Sequence, residues 1–123
     1  MRTSSLQTLC NRLLKTLRLE NWRVQVRKVT AKELLALYPQ DAIDVDALIV
    51  PNKDMRSADV FIVKDREHGE DSALYRSDEH LLAHELGHIV FWYRDEEEVV
   101  ESIAEMALTV DHLRGLARRR QPA

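Results

Sequence analysis

Leu6, Leu9, Cys10, Leu13, Leu14 and Leu17 recur at the i, i+3, i+4, i+7 spacing of one helical face. Ser4 with Gln7 three residues later reads as a capping box, so the spacing predicts a helix from about residue 5 to 19. Trp22, Val24 and Val26 then alternate with Arg23, Gln25 and Arg27, the two-residue period of a strand with one buried face. Thr30 and Glu33 form a second capping box and open a short helix that ends before Pro39. Its Leu34, Leu35 and Leu37 are expected to cover part of a sheet. Gln40 to Asp46 is acidic and irregular, a loop. Ala47 to Val50 reads as a short strand stopped by Pro51, and a turn around Asn52 to Arg56 leads to its hairpin partner, Ala58 to Lys64. His68 to Asp71 marks a mobile loop.

The last third of the chain changes period. Ser77 stands where it can cap a helix, with Asp78 and Glu79 in the first turn against the positive end of the dipole. Leu82, Ala83, Leu86, Ile89, Val90 and Tyr93 gather on one arc, which carries that helix to about Tyr93. A polar turn at Arg94-Asp95 precedes a last helix from about Glu96, with Val99, Ile103, Met106 and Val110 on one face and an end near Gly115. The order helix, strand, helix, strands, helix, helix predicts an α+β domain. Its small, largely antiparallel sheet is packed with the N-terminal helix, the helix from Ser77 and the C-terminal helix.

Composition narrows this picture. At 123 residues the chain is long enough to bury one core, over residues 1–117, without disulfide or metal staples; residues 118–123 read as a flexible basic tail. A net charge of −3 gives no electrostatic reason to expect nucleic acid. Arg114, Arg118, Arg119 and Arg120 are confined to the end of the chain and accompany no DNA-reading motif. The single cysteine, Cys10, fits a reducing compartment and sits where a small core residue belongs. No stretch has the apolar length of a membrane span, and Gln7, Asn11, Arg12 and Lys15 interrupt any signal-peptide core. A cytoplasmic protein is expected.

The candidate chemistry lies in His84-Glu85-Leu86-Gly87-His88. Positions four apart share a helix face, so His84 and His88 can offer two imidazole nitrogens to one ion. Zinc suits that pair, binding His nitrogen at about 2.0–2.1 Å. Glu85, beside them, is placed to accept a proton from water activated by the ion. This is the HExxH spacing. The ordinary alternative, two histidines and a glutamate meeting by chance, fits poorly with an apolar arc on the opposite side of the same helix. Gly87 in a helix interior costs roughly 1 kcal/mol relative to Ala, which a close approach by another backbone would explain.

Two histidines alone make a weak zinc site, so a third ligand is needed. His80, His112 and the carboxylates of the last helix are the choices. A turn centred on Arg94-Asp95 sets His88 against Glu101 and His84 against Glu105. Glu101 is therefore the expected third ligand, with Glu97 or Glu98 next. Glu105 is placed to accept the free imidazole N–H of His84 or His88. Tyr75, Tyr93 and His112 are candidate donors to an oxyanion.

With these residues in hand the chain resembles the gluzincin branch of zinc metallopeptidases, and more narrowly the small ImmA/IrrE-type peptidases. Leu82-Ala83-His84-Glu85-Leu86-Gly87-His88 and Glu101-Ser102-Ile103-Ala104 carry the resemblance, which covers roughly residues 74–108. Family members usually have Asn after the alanine of the second motif, where this chain has Glu105, and the stretch between His88 and Glu101 is short. The resemblance implies a zincin-like domain and a zinc-dependent endopeptidase acting on an intracellular protein such as a repressor or antitoxin. It also implies a substrate held along a sheet-edge strand, expected at Ala58 to Val63. A metal-stabilised interaction module without turnover is the alternative; it would keep the ligands and have no need of Glu85.

Overall fold

The computed structural model describes residues 1–52, 54–66, 76–90 and 97–120. Among them the elements run α1 (Thr3–Thr16), β1 (Arg23–Val29), α2 (Ala31–Leu37), β2 (Ala47–Asn52), β3 (Ser57–Val63), α3 (Asp78–Val90) and α4 (Glu97–Arg120). Four helices and a three-stranded mixed sheet make a small α+β fold.

The strand order is β1-β3-β2, with β1 parallel to β3 and β2 antiparallel to it. The sheet is thus mixed, not largely antiparallel, because α2 lies between β1 and the β2–β3 hairpin and carries the chain across. The order also corrects the expected edge strand. Ala58 to Val63 lies in β3, which is flanked on both sides, so its backbone is already paired and cannot receive a further strand. The run Val60-Phe61-Ile62-Val63 is buried throughout, as a strand covered on both faces requires.

The outer strands are β1 and β2, and they differ. Gln7 does not cap α1, which begins earlier at Thr3 with no side-chain cap at Arg2. Its amide instead serves the free edge of β1. Nε2 donates to the Val24 carbonyl at 2.8 Å, and Oε1 accepts the Val26 N–H at 2.9 Å. That side-chain pairing blocks the edge. β2 continues through Pro51 to Asn52 rather than stopping before it. Proline lacks the N–H that a central strand must donate, and is tolerated because β2 is outermost.

One core lies between the sheet and α1, α3 and α4. Leu6, Cys10, Leu13, Val60, Ile62, Leu82 and Leu86 are fully shielded there. Burial pushes the Cys10 thiol up to about 12, so it is a packing residue and not a nucleophile. The opposite sheet face holds a smaller cluster, in which Leu34, Ala42, Phe61 and Val63 pack together under Tyr38. The α2 capping box at Thr30 and Glu33 forms as expected, but of its leucines only Leu34 is buried; Leu35 and Leu37 face solvent.

The buried face of α4 is Val100, Ala104 and Ala107, whereas Met106 is exposed and Ile103 and Val110 are only half-covered. The helix is rotated by about one residue from the expected stripe. Small alanines let it lie close against α3, where a row of Met and Ile would hold it off. It also passes through Gly115 to Arg120, so residues 118–120 are helical and not tail. Arg118 and Arg119 in the last turn complement the negative end of the helix dipole. Arg12 ties α1 to α4 through both oxygens of Asp111, at 2.9 and 3.3 Å.

Candidate metal centre

The site is carried by α3, and α3 is fixed first at its N-terminus. The Ser77 hydroxyl accepts the His80 N–H at 3.1 Å, the expected cap. Asp78 does more than complement the dipole. Its buried carboxylate accepts from Arg66 at 2.8 Å, Lys28 at 3.0 Å and the Met1 amine at 3.1 Å. Burial alone would raise this carboxyl, but those three cationic donors bring it from 3.8 to about 2. Lys28 is in β1 and Arg66 follows β3, so Asp78 fastens the start of α3 to the sheet.

Beyond that anchor Leu81, Leu82, Ala83, Leu86 and Ile89 enter the core, and His84 and His88 are half-buried on the other side. Val90 is exposed rather than part of the apolar arc. The two imidazoles meet edge to face, with ring centroids 5.0 Å apart and planes at 75°. Glu85 is 9% exposed. One ligand atom from each of His84, Glu85 and His88 lies within 4.8 Å of the other two, so the three form a cluster that can hold a metal ion. Two imidazoles and a carboxylate are donors a divalent transition metal accepts, and small side-chain rotations bring such atoms to bonding distance. The donor set does not identify the metal.

Gly87 meets the expectation of a close approach. A Cβ placed there would lie 3.0 Å from Val100 Cγ1 and 3.3 Å from the Val100 carbonyl oxygen. Setting Val100 against Gly87 fixes how α4 delivers its carboxylates. Glu101 reaches His84, whose Nδ1 is 2.7 Å from Oε2, and not His88 as a turn at Arg94-Asp95 implied. Glu105 lies away from the buried face and is exposed, so it does not back the imidazoles. The expected hairpin register is displaced, and Glu101 takes the place opposite His84 assigned to Glu105. The turn itself, Tyr75, Tyr93 and the side chains of Glu97 and Glu98 fall outside the described residues. His112 is exposed on α4.

Glu101 also gathers His80, one of the alternatives for the third ligand, and Arg76, which the sequence does not single out. His80 Nε2, shielded from solvent, lies against Oε1, and Arg76 Nη1 is 3.5 Å from Oε2. Partial burial would raise the Glu101 carboxyl, but the His84 hydrogen bond and the nearby His80 and Arg76 hold it below the usual carboxylate range. The i, i+4, i+8 ladder of His80, His84 and His88 was a visible signal. Arg76, in the segment before the cap, offered none.

Compared with protein-family models, with curated proteins and with solved structures, the chain matches none. The geometry of the cluster therefore carries the functional reading. Among the described residues no helix is long and apolar enough to cross a membrane.

Proposed function

We propose that this protein is a zinc-dependent endopeptidase with a zincin-like active site, acting on an intracellular protein. The observation that carries the reading is the grouping of His84, Glu85 and His88 within ligand distance on one helix that faces the core on its other side. In this reading His84 and His88 hold the zinc, and Glu101 is the third protein ligand. Zinc at such a site polarises a carbonyl and makes water acidic enough to be deprotonated near neutral pH. Glu85 takes that water's proton and passes it to the leaving amine, as a general base and then a general acid. Its burial beside the imidazoles suits a group that must hold and release one proton out of bulk solvent. The substrate, a regulatory protein such as a repressor or antitoxin, pairs as an extended strand with the outer edge of β2, since α3 packs on β2 and β3 and Gln7 occupies the edge of β1.

Glu85→Gln tests this directly. The variant should fold, keep its zinc and lose hydrolysis of a peptide library that the wild type cleaves. Undiminished cleavage by the variant would rule the mechanism out. One observation favours a second reading: a Glu85 ligand atom lies within 4.8 Å of one on each imidazole, so Glu85 could itself hold the metal in a metal-stabilised interaction module. In that case Glu85→Gln loses zinc affinity, and the wild type cleaves nothing.

A further inference from the structure

We infer that His80 and Arg76 are positioning residues for the metal site, acting through Glu101. The inference rests on the metal reading above and adds to it two residues outside the His84, Glu85 and His88 group. Glu101 stands on α4, alone of the site residues not on α3, and its long side chain has three rotatable bonds to fix. Three donors on three residues surround the carboxylate, and each oxygen is addressed separately. Oε1 faces the shielded His80 Nε2, one turn of α3 before His84. Oε2 accepts from His84 Nδ1 at 2.7 Å, with Arg76 Nη1 at 3.5 Å. His80 therefore holds one oxygen so that the other is presented at His84. Arg76 adds a positive charge on the outer side, half exposed, which keeps the carboxylate from turning to solvent.

The arrangement has a further chemical consequence. A neutral imidazole carries one N–H, and a carboxylate at Nδ1 fixes the proton there, leaving Nε2 with the bare lone pair a metal requires. With both oxygens engaged by imidazoles, Glu101 serves the site here by orienting His84. That service depends on His80 and Arg76 keeping the carboxylate on α3.

The test is zinc affinity of the metal-free full chain, measured by competition with a chelating dye, with melting curves to confirm that each variant folds. His80→Ala should weaken binding on the order of 10-fold, the range seen when partners of metal ligands are removed. Arg76→Ala, losing a half-exposed pair, should cost about two- to five-fold. His80→Gln, which restores an N–H near the same place, should recover most of the loss. In a Glu101→Ala background neither substitution should weaken zinc further, because its effect runs through that carboxylate. Undiminished losses in that background, or unchanged affinity in both single variants, would overturn the inference while leaving the metal site standing. A wild type that binds no zinc would overturn the metal reading and this inference with it.

Discussion

Two carboxylates bracket the metal cluster, Asp78 at the start of α3 and Glu101 across from its middle, and they do opposite kinds of work. Asp78 has an 8% exposed side chain and is saturated by Arg66, Lys28 and the Met1 amine. Two of these are permanent side-chain cations and each sits on a different part of the fold. Such a group can move nowhere without leaving buried charge uncompensated. Glu101 is 26% exposed and is held mainly by imidazoles, with one distant guanidinium. Its partners are weaker donors, and its oxygens face residues that can themselves bind a metal. Both carboxyls are held below their ordinary range, so acidity alone does not separate anchor from site. The partners do. A carboxylate ringed by cations from several elements is a fastening, whereas Glu101 is ringed by histidines of a single helix beside a group that could hold a metal.

The largest expected effect breaks the fastening. Asp78→Asn leaves Arg66, Lys28 and the terminal amine without their counter-charge and should cost about 3 kcal/mol of folding stability. In a domain of this size that lowers the melting temperature by about 10 °C. Because the folded value of about 2 lies below the ordinary 3.8, the contribution is present above the unfolded value and disappears as pH falls from near 3.8 through about 2. Wild type should lose stability across that window, and Asp78→Asn should lose less. The folded variant should bind zinc as the wild type does. Parallel acid-unfolding curves for the two proteins would show that Asp78 is no such anchor.

Glu101→Gln should give the converse result. A partly exposed pair contributes little to folding, about 1 kcal/mol or less, so its melting temperature should hardly move. Zinc affinity should fall by at least about 10-fold, since an amide neither binds a divalent ion as strongly nor fixes the His84 proton. Equal losses of stability in Asp78→Asn and Glu101→Gln would erase the distinction between the two groups.

What could be read from the chain follows the same division. The α1 stripe, the α2 capping box, the β1 alternation and the His84, Glu85, His88 triplet are local patterns, and each appears close to where its spacing put it, although α1 ends at Thr16 and Trp22 stands just before β1. The failures are relations between elements. Pro51 reads locally as a strand terminator but marks an outer strand, and Val60-Phe61-Ile62-Val63, expected at an edge, is an unbroken apolar run that belongs to a strand covered on both faces. Gln7 looked like half of a capping box because nothing local reveals the free edge of β1 seventeen residues on. The rotation of α4 depended on weighing Ala104 and Ala107 as contact residues against larger Ile103 and Met106. That rotation turns Glu105 to solvent, and a displaced register along α3 brings Glu101 to His84 instead of His88.

The smallest expected effect bears on that rotation, and so on whether Glu101 reaches the site by packing. At Gly87 an added methyl meets Val100 Cγ1 at 3.0 Å and a backbone oxygen at 3.3 Å, and the oxygen cannot turn aside. Gly87→Ala gains up to about 1 kcal/mol of helix propensity. Overpacking a close contact costs about 1–3 kcal/mol, so the net change should be a destabilisation of about 1 kcal/mol. Because α4 is pushed from α3 at the turn that carries Glu101, zinc affinity should fall as well, while the Asp78 end, outside that contact, keeps its acid dependence. Gly115 supplies the control on the same helix pair. A Cβ there meets nothing within 4 Å, so Gly115→Ala should stabilise by a few tenths of a kcal/mol up to about 1 and leave zinc binding alone. Calorimetry and dye competition on the two variants should give shifts of opposite sign in stability and a loss of affinity in Gly87→Ala only. If Gly87→Ala is stabilising and binds zinc normally, close packing of α4 is not what brings Glu101 to His84.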